Sequence, residues 1–288
     1  MLREPVRAFW YATARLNPVH ERTTWGYVKA DPRYPNIWDA NHGAVLEPAP
    51  ELTMEAIRAE MLPPLRAAGA THEHVEFWET SVESPALREL RGSTARTDPD
   101  VLMVFEGSPD VRRPPRVEVR EVVDPDDSFW EWYGQSRRQF GADFTDDVVK
   151  QLVRRDHEVF HPAGLRWFVG FLDGALAGYA SLLSLEGVGY VDNVVTMPPF
   201  RRRGVASAAV SSAVADSLAR GHRPVHLLAE EGGSPQRLYE RLGFRVEARI
   251  ESFTSPLVLD GDDRASPSYL SAPLQPDSSG SNGRKTSE

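Results

Sequence analysis

Cysteine is absent from all 288 residues. Disulfides, thiolate metal sites and a cysteine nucleophile are excluded with it, so any thioester chemistry would need a sulfur carried in by a ligand. Lysine is nearly absent too. Lys29, Lys150 and Lys285 are the only lysines among 33 basic residues, and arginine supplies the remainder. Acids outnumber bases, for a net charge of −9. A chain of that sign lacks the footprint of a general nucleic-acid binder. No apolar run is long enough to cross a bilayer. The N-terminus, MLREPVRAFW, has early charge and proline in place of the apolar core of a signal peptide, so a cytoplasmic location and no membrane partner are expected. What remains is the balance of a globular protein, 41% hydrophobic and 26% charged, at a length that suits two domains.

Two punctuated stretches divide the chain. Glu106 to Arg116 (EGSPDVRRPPR) has the proline and glycine content of a linker. Residues 261–288, rich in Ser, Pro, Gly and Asp, are expected to be disordered. The division is therefore 1–105, a linker at 106–116, a domain at 117–260, and a tail.

The second domain reads as β-α-α-β-β-β-α-β-α-β. Strands are expected at Val117–Val123, Leu165–Leu172, Ala175–Leu185, Gly189–Met197, Val225–Glu230 and Phe244–Phe253. Helices are expected at Ser128–Phe140, Thr145–Val159, Val205–Arg220 and Ser234–Leu242. Asp173-Gly174 is a hairpin signal, Gly221 a helix stop, and Ser234-Pro235 a helix start with Ser234 as its cap. The first domain echoes the end of the second. Leu52–Ala68 reads as a helix and His72–Trp78 as a strand. A Ser84-Pro85 helix then ends near Gly92, and Val101–Phe105 is a last strand. The shared order suggests a diverged internal duplication.

One segment concentrates chemistry. In Thr196-Met197-Pro198-Pro199-Phe200-Arg201-Arg202-Arg203-Gly204-Val205-Ala206 a strand ends, prolines stop its ladder, and a loop enters a helix. The helix start offers unpaired N–H groups and partial positive charge. Gly204 and Ala206 allow close approach, so the segment can cradle a pyrophosphate; a solvated basic loop is the alternative. Other phosphate motifs fail. There is no GxxxxGK[ST], and Gly187-Val188-Gly189 reads as a hairpin turn.

These residues resemble the GCN5-related N-acetyltransferase (GNAT) family, whose signature is Arg or Gln, two residues, Gly, one residue, then Gly or Ala. Arg201, Gly204 and Ala206 fit it. So does the second block, Ser234-Pro235-Gln236-Arg237-Leu238-Tyr239-Glu240-Arg241-Leu242-Gly243-Phe244. The likeness covers about residues 117–255. It implies an α/β fold with a mixed sheet, the acyl-CoA N-acyltransferase fold, preceded by a diverged GNAT-like domain. It implies transfer of an acetyl group from acetyl-CoA to a small-molecule or peptide amine by direct attack. Backbone at Val194, Val195 and Thr196 would hold the pantetheine and acyl carbonyl. Arg201, Arg202, Arg203, Gly204, Val205 and Ala206 would hold the pyrophosphate. Tyr239 would protonate the leaving thiolate. Ser234 stands where the family often has an asparagine, which leaves that pantetheine contact open.

For the base, Asp192 and Glu230 are the candidates, with Glu186 and Asn193 also at strand ends. Each is equally a solvated group, and the amine could lose its proton through water. His72-Glu73-His74 puts two histidines on one strand face without a third ligand, so a surface strand is expected and no metal. The tryptophans at 25, 38, 78, 130, 132 and 167 are expected to pack cores. The first half has no arginine–glycine cradle and no tyrosine matching Tyr239. It is expected to be a degenerate copy that supports the active half and shapes its acceptor pocket. The alternatives are an acyl-CoA-binding sensor without catalysis and a transferase for a longer acyl group. The acceptor is not named by the sequence, and monomer or homodimer are both compatible with it.

Overall fold

The computed structural model describes residues 2–108, 116–141 and 144–257. The tail at 261–288 and most of the 106–116 linker lie outside them. In chain order the first half holds α1 (Glu4–Ala14), β1 (Val19–Arg22), β2 (Gly26–Ala30), β3 (His42–Val45), α2 (Met54–Ala67), β4 (His72–Phe77), α3 (Pro85–Arg91) and β5 (Arg96–Phe105). The second half holds β6 (Val117–Val122), α4 (Asp127–Arg137), α5 (Asp146–Arg155), β7 (Arg166–Leu172), β8 (Ala175–Leu185), β9 (Val188–Thr196), α6 (Val205–Ala219), β10 (Val225–Glu230), α7 (Ser234–Arg241) and β11 (Phe244–Pro256).

Local chemistry sets many of the boundaries. Thr53 caps α2, Ser84 caps α3, Asp126 caps α4 and Thr145 caps α5, each by accepting from a backbone N–H three residues on. Asp173-Gly174 and Glu186-Gly187 make the β7–β8 and β8–β9 turns with all four residues at positive φ, the geometry that matches strand twist in a two-residue hairpin. Ser234 is a correction: α7 is capped by Gly233 without a side-chain bond, and Ser234 is already helical. His72 and His74 are another. Their strand pairs on both sides, with β3 and β11, and both rings are buried instead of lying on a surface strand.

All eleven described strands join one mixed sheet in the order β1-β2-β3-β4-β11-β5-β10-β9-β8-β7-β6. Its centre is an interlock. β5, the last strand of the first half, pairs antiparallel with β10; β11, the last strand of the second half, pairs antiparallel with β4; and β5 and β11 pair with each other over residues 96–105 and 244–254. Each half thus contributes a strand to the other half's flank. One core cluster spans both, including Phe9, Trp10, Tyr27 and Trp78 from the first half and Tyr133, Trp167 and Tyr179 from the second. Each large side chain buried there contributes roughly 1.5–3 kcal/mol of transfer free energy. No helix among the described residues is long and apolar enough to cross a membrane.

Candidate active site

The second half opens where the first is closed. β9 and β10 run parallel but pair only at Gly189–Val225 and Tyr190–His226, the beginning of both strands. Beyond Tyr190 the β10-facing edge of β9 has no ladder partner among the described residues. In the first half the equivalent parallel pair, β3 and β4, is joined through its far end at Val45–Phe77, and Trp78 N–H adds a 3.0 Å bond to Val45 carbonyl.

The open edge carries a bulge. Register along β8 jumps from Tyr179–Val195 to Ser181–Asp192, so Asn193 and Val194 lie opposite Ala180 alone. Asn193 takes positive φ, 48°, to make the extra residue. The Val195 side chain is buried in the core, so at this position only backbone is free to meet a ligand. Val194 and Thr196 are half-buried beside it.

The strand leads to α6. Arg202 (φ 60°) and Gly204 (φ 84°) are both left-handed and wind the loop into the helix. From Arg202 to Ser207 no backbone N–H has a partner among the described residues; the first helical bond runs from Ala208 N–H to Gly204 carbonyl, 3.0 Å. Such a run of N–H groups at a helix start is an anion-binding concavity. Val205 anchors it: the side chain is buried, and a Cβ added at Gly170 of β7 would lie 2.9 Å from Val205 Cγ1. The arginines are peripheral. All three are exposed. Arg201 reaches back to Thr196 carbonyl at 3.3 Å and Arg203 to Asp173 at 3.4 Å, while Arg202 has no partner among the described residues. Ser234 is exposed at the start of α7.

At the bulge, on the face of the sheet covered by α1, α4 and α5, lies a cavity of about 140 Å³ between the two halves. Tyr190, Asp192 and Asn193 of β9 line one side; Lys29 of β2, His42 of β3 and Glu76 of β4 line the other. α1 adds Trp10 and Thr13, and the α4–α5 layer adds Arg137, Arg155 and Asp156. A second cavity, about 430 Å³ and more apolar, adjoins it through Asp39, Arg137 and Leu152. A wide π-type turn over Asp156–Phe160 follows α5 and buries Asp156, whose carboxylate accepts from Tyr133 hydroxyl at 2.6 Å. Wide turns of this kind often accompany functional sites.

The candidate acids are placed unequally. Asp192 faces the cavity with Tyr190 hydroxyl 3.2 Å away. Burial pushes its carboxyl up to about 6, against the opposing pull of Arg137. Glu230 is exposed at the end of β10, and Glu186 sits in the β8–β9 turn paired with Arg15 at 2.8 Å. Opposite Glu230 in register, Asp100 of β5 was not foreseen. Burial, followed by the neighbouring Glu76, Asp98 and Glu230, pushes it up to about 7. Tyr239 is buried against Phe244, ring centroids 6.0 Å apart, with no hydrogen bond to its hydroxyl among the described residues. Burial, reinforced by the Asp192 charge, raises it well above the ordinary phenol range, so it stays protonated.

Lys29, His42, Glu76, Arg137, Arg155 and Asp156 were also unforeseen. The available signal was weak: Lys29 is a rare lysine within an otherwise apolar strand. Among the described residues no group of three or more His, Asp or Glu side chains is arranged to hold a metal.

Residues 127–244 match the family model described as the acetyltransferase (GNAT) family. This segment is a GNAT-family domain. Three solved structures share its fold and extend the likeness into the first half. A functionally unknown conserved protein of Staphylococcus epidermidis ATCC 12228 is 13% identical over 83% of this chain and 93% of its own, with a TM-score of 0.67. A GCN5-related N-acetyltransferase of Kribbella flavida is 18% identical over 75% and 81%, TM-score 0.55. One of Sphaerobacter thermophilus is 19% identical over 65% and 60%, TM-score 0.50. No curated protein matches the chain. The GNAT domain retains the open β9–β10 edge and the free helix start; the first half, diverged from that pattern, retains neither. Its α2 start lies behind Glu47 and Glu51, and the Thr53 side chain occupies one of the helix's first N–H groups.

Proposed function

We propose that residues 117–260 catalyse acetyl transfer from acetyl-CoA to an amine, and that residues 1–105 are a degenerate copy supplying the far wall of the acceptor cavity. The observation that carries this reading is the coincidence, on one strand, of an edge without a partner, a bulge that turns backbone outward, and a helix start with a run of free N–H groups. Pyrophosphate suits the N–H groups of Arg202 to Ala206. The pantetheine and acyl carbonyl suit the backbone of Val194, Val195 and Thr196, where a fixed donor stabilises charge as it develops on oxygen.

The acceptor arrives as an ammonium ion and must lose a proton first. Asp192, with a carboxyl near neutrality and a place in the cavity, is the acceptor of that proton; Glu230, solvated at the end of β10, is the weaker candidate. The amine nitrogen then attacks the thioester carbon. A C–N bond forms, the C–S bond breaks, and the thiolate takes a proton from Tyr239. Asp192 passes the first proton to solvent and takes the second from nitrogen, and that second proton returns through water to the Tyr239 phenolate. The products are the acetamide, free CoA thiol and one proton.

A panel of amines with acetyl-CoA, read by thiol release, tests this. Turnover with at least one amine is expected. If the protein binds acetyl-CoA and no amine in a broad panel releases thiol, the catalytic reading fails and the sensor reading replaces it.

A further inference from the structure

Three buried cations face the cavity between the halves: Lys29, Arg137 and Arg155, each less than a tenth exposed. Among the described residues none has an ion pair within 4 Å. The Lys29 ammonium, 2% exposed, has neither an ion pair nor a hydrogen bond there; it lies 5.8 Å from the centre of the Tyr27 ring. Arg155 donates to Asp39 carbonyl at 2.7 Å and leaves its buried Nε without a partner. Arg137 donates to Asn193 and likewise leaves Nε unpaired.

Of the acids around them, Asp39 also lines the cavity and is the first charge to act on Arg155, without forming an ion pair with it; the others are engaged by hydrogen bonds or histidines. Glu76 accepts from the Trp78 indole at 2.9 Å and lies between His42 and His74, at 3.7 and 3.5 Å. Asp156 is taken by Tyr133, and Asp192 lies beside Tyr190. Burial, then the like charge of Arg155, brings the Lys29 ammonium down to about 8, against the smaller opposing pull of Glu76 and Asp39. An uncompensated ammonium in a closed cavity is costly. The Lys29 ammonium and the Arg155 guanidinium, both buried and without an ion pair among the described residues, face one space and mark a place for an anion.

The positions have an order. Lys29 and His42 are cross-strand partners on β2 and β3, in the first half, and Arg155 covers them from α5. Asp192 stands across the cavity on β9, at the open edge. We infer that the acceptor is a zwitterion, an amine that also bears a carboxylate: the carboxylate is received by Lys29 and Arg155, which directs the amine to Asp192. This rests on the acetyltransferase reading above. It gives the first half a role in recognition, since the carboxylate subsite is built on its β2 strand.

The test uses the full chain with acetyl-CoA and pairs of acceptors: the proteinogenic L-amino acids, β-alanine and 4-aminobutyrate, each against its decarboxylated amine. The best carboxylated acceptor is expected to exceed its decarboxylated partner in kcat/KM by at least about 100-fold, the scale set by a charged partner in a site built for it. Lys29→Met and, separately, Arg155→Met should cut that ratio at least about 10-fold, through KM more than kcat. Acetyl-CoA affinity by calorimetry should hold in both. Retained affinity separates this loss from misfolding, since an unfolded variant binds no cofactor. Equal use of both members of every pair, or an equal loss on both in the variants, overturns the inference and leaves the acetyltransferase reading standing. A wild-type preference for succinyl-CoA over acetyl-CoA with carboxylate-free amines overturns it as well, because the anion would then belong to the donor. Failure to bind acetyl-CoA overturns both readings.

Discussion

The Arg137 guanidinium donates to the side-chain carbonyl of Asn193, the left-handed residue that forms the β9 bulge. A buried cation from α4 thereby fixes the strand at the point where it parts from β10. The same cation opposes the upward shift of Asp192. The groups facing Asp192 are Arg137 from α4, Tyr190 from β9 itself, Asn193 beside it, and Asp156 and Asp39 at longer range. Replacing Arg137 by Gln removes the one favourable charge. The acid limb of kcat/KM, expected near 6 in the wild type, should move upward, by up to about 1 pH unit. A pH–rate profile on the folded variant checks this; an unmoved limb would remove Asp192 from the role of base.

Asp192 should cost stability at neutral pH. Its folded pKa, about 6, lies above the unfolded value of 3.8. The folded state therefore binds the proton more tightly, and this group's contribution is present below about pH 4 and lost as pH rises through about 6. Asp192→Asn keeps the shape and removes the titration. It should match the wild type in stability near pH 4 and exceed it at pH 7–8, by about 1–3 kcal/mol. Denaturant melts at the two pH values give the comparison, and activity should fall at least about 100-fold in the same variant. A variant no more stable at pH 8 than at pH 4, relative to wild type, sinks the assignment of a strained carboxyl.

Much of the fold was legible because its signals are local. Asp173-Gly174, Gly221 and the Ser84-Pro85 pair each fix backbone by their own chemistry, and the open loop at Gly204 is written in five consecutive residues. The interlock of β5 and β11 was not, since strand order depends on pairing between residues more than a hundred positions apart. Residues 1–45 were not resolved into elements either. Their strands β2 and β3 are nearly all buried, so they lack the alternation that marks a half-exposed strand. The site divides the same way. Asp192 was a candidate in the sequence as an acid on a strand of the recognised half. Lys29 and Arg155 were not, because each becomes a site residue only when the sheet brings β2 to face β9. Glu230 and Asp100 sit opposite each other in register, yet one is solvated and the other half-buried. Sequence alone favoured Glu230 because it ends a strand in the recognised half.

The pyrophosphate contact should depend on backbone more than on arginine charge. Gly204 caps α6 at φ 84°, a conformation strained for any residue with a Cβ. Glu there would also place a carboxylate over N–H groups meant for an anion. Gly204→Glu should raise the KM for acetyl-CoA at least about 30-fold. Arg202→Ala removes an exposed cation and should change it by about 3-fold or less. Steady-state kinetics at fixed acceptor decides between them. An Arg202 effect as large as that of Gly204 would mean that charge, not the helix start, holds the cofactor.

Tyr239 offers the sharpest separation of catalyst from sensor. Its ring is packed in the core against Phe244, so Tyr239→Phe keeps the volume and the burial. The hydroxyl makes no hydrogen bond among the described residues, so its removal strands no partner, and stability should change by less than about 1 kcal/mol. If the hydroxyl protonates the departing thiolate, kcat should fall by about 100-fold or more while acetyl-CoA affinity stays within about 2-fold. The burial that raises this phenol makes it a poor acid in the ground state, so its donation has to be matched to a strongly basic thiolate as the C–S bond breaks. The loss should accordingly shrink for thioesters with more acidic thiols. Measuring the variant against a series of acyl thioesters of graded leaving-group acidity tests this directly. A constant deficit across the series would place the tyrosine in packing alone, and the proton would then come from water.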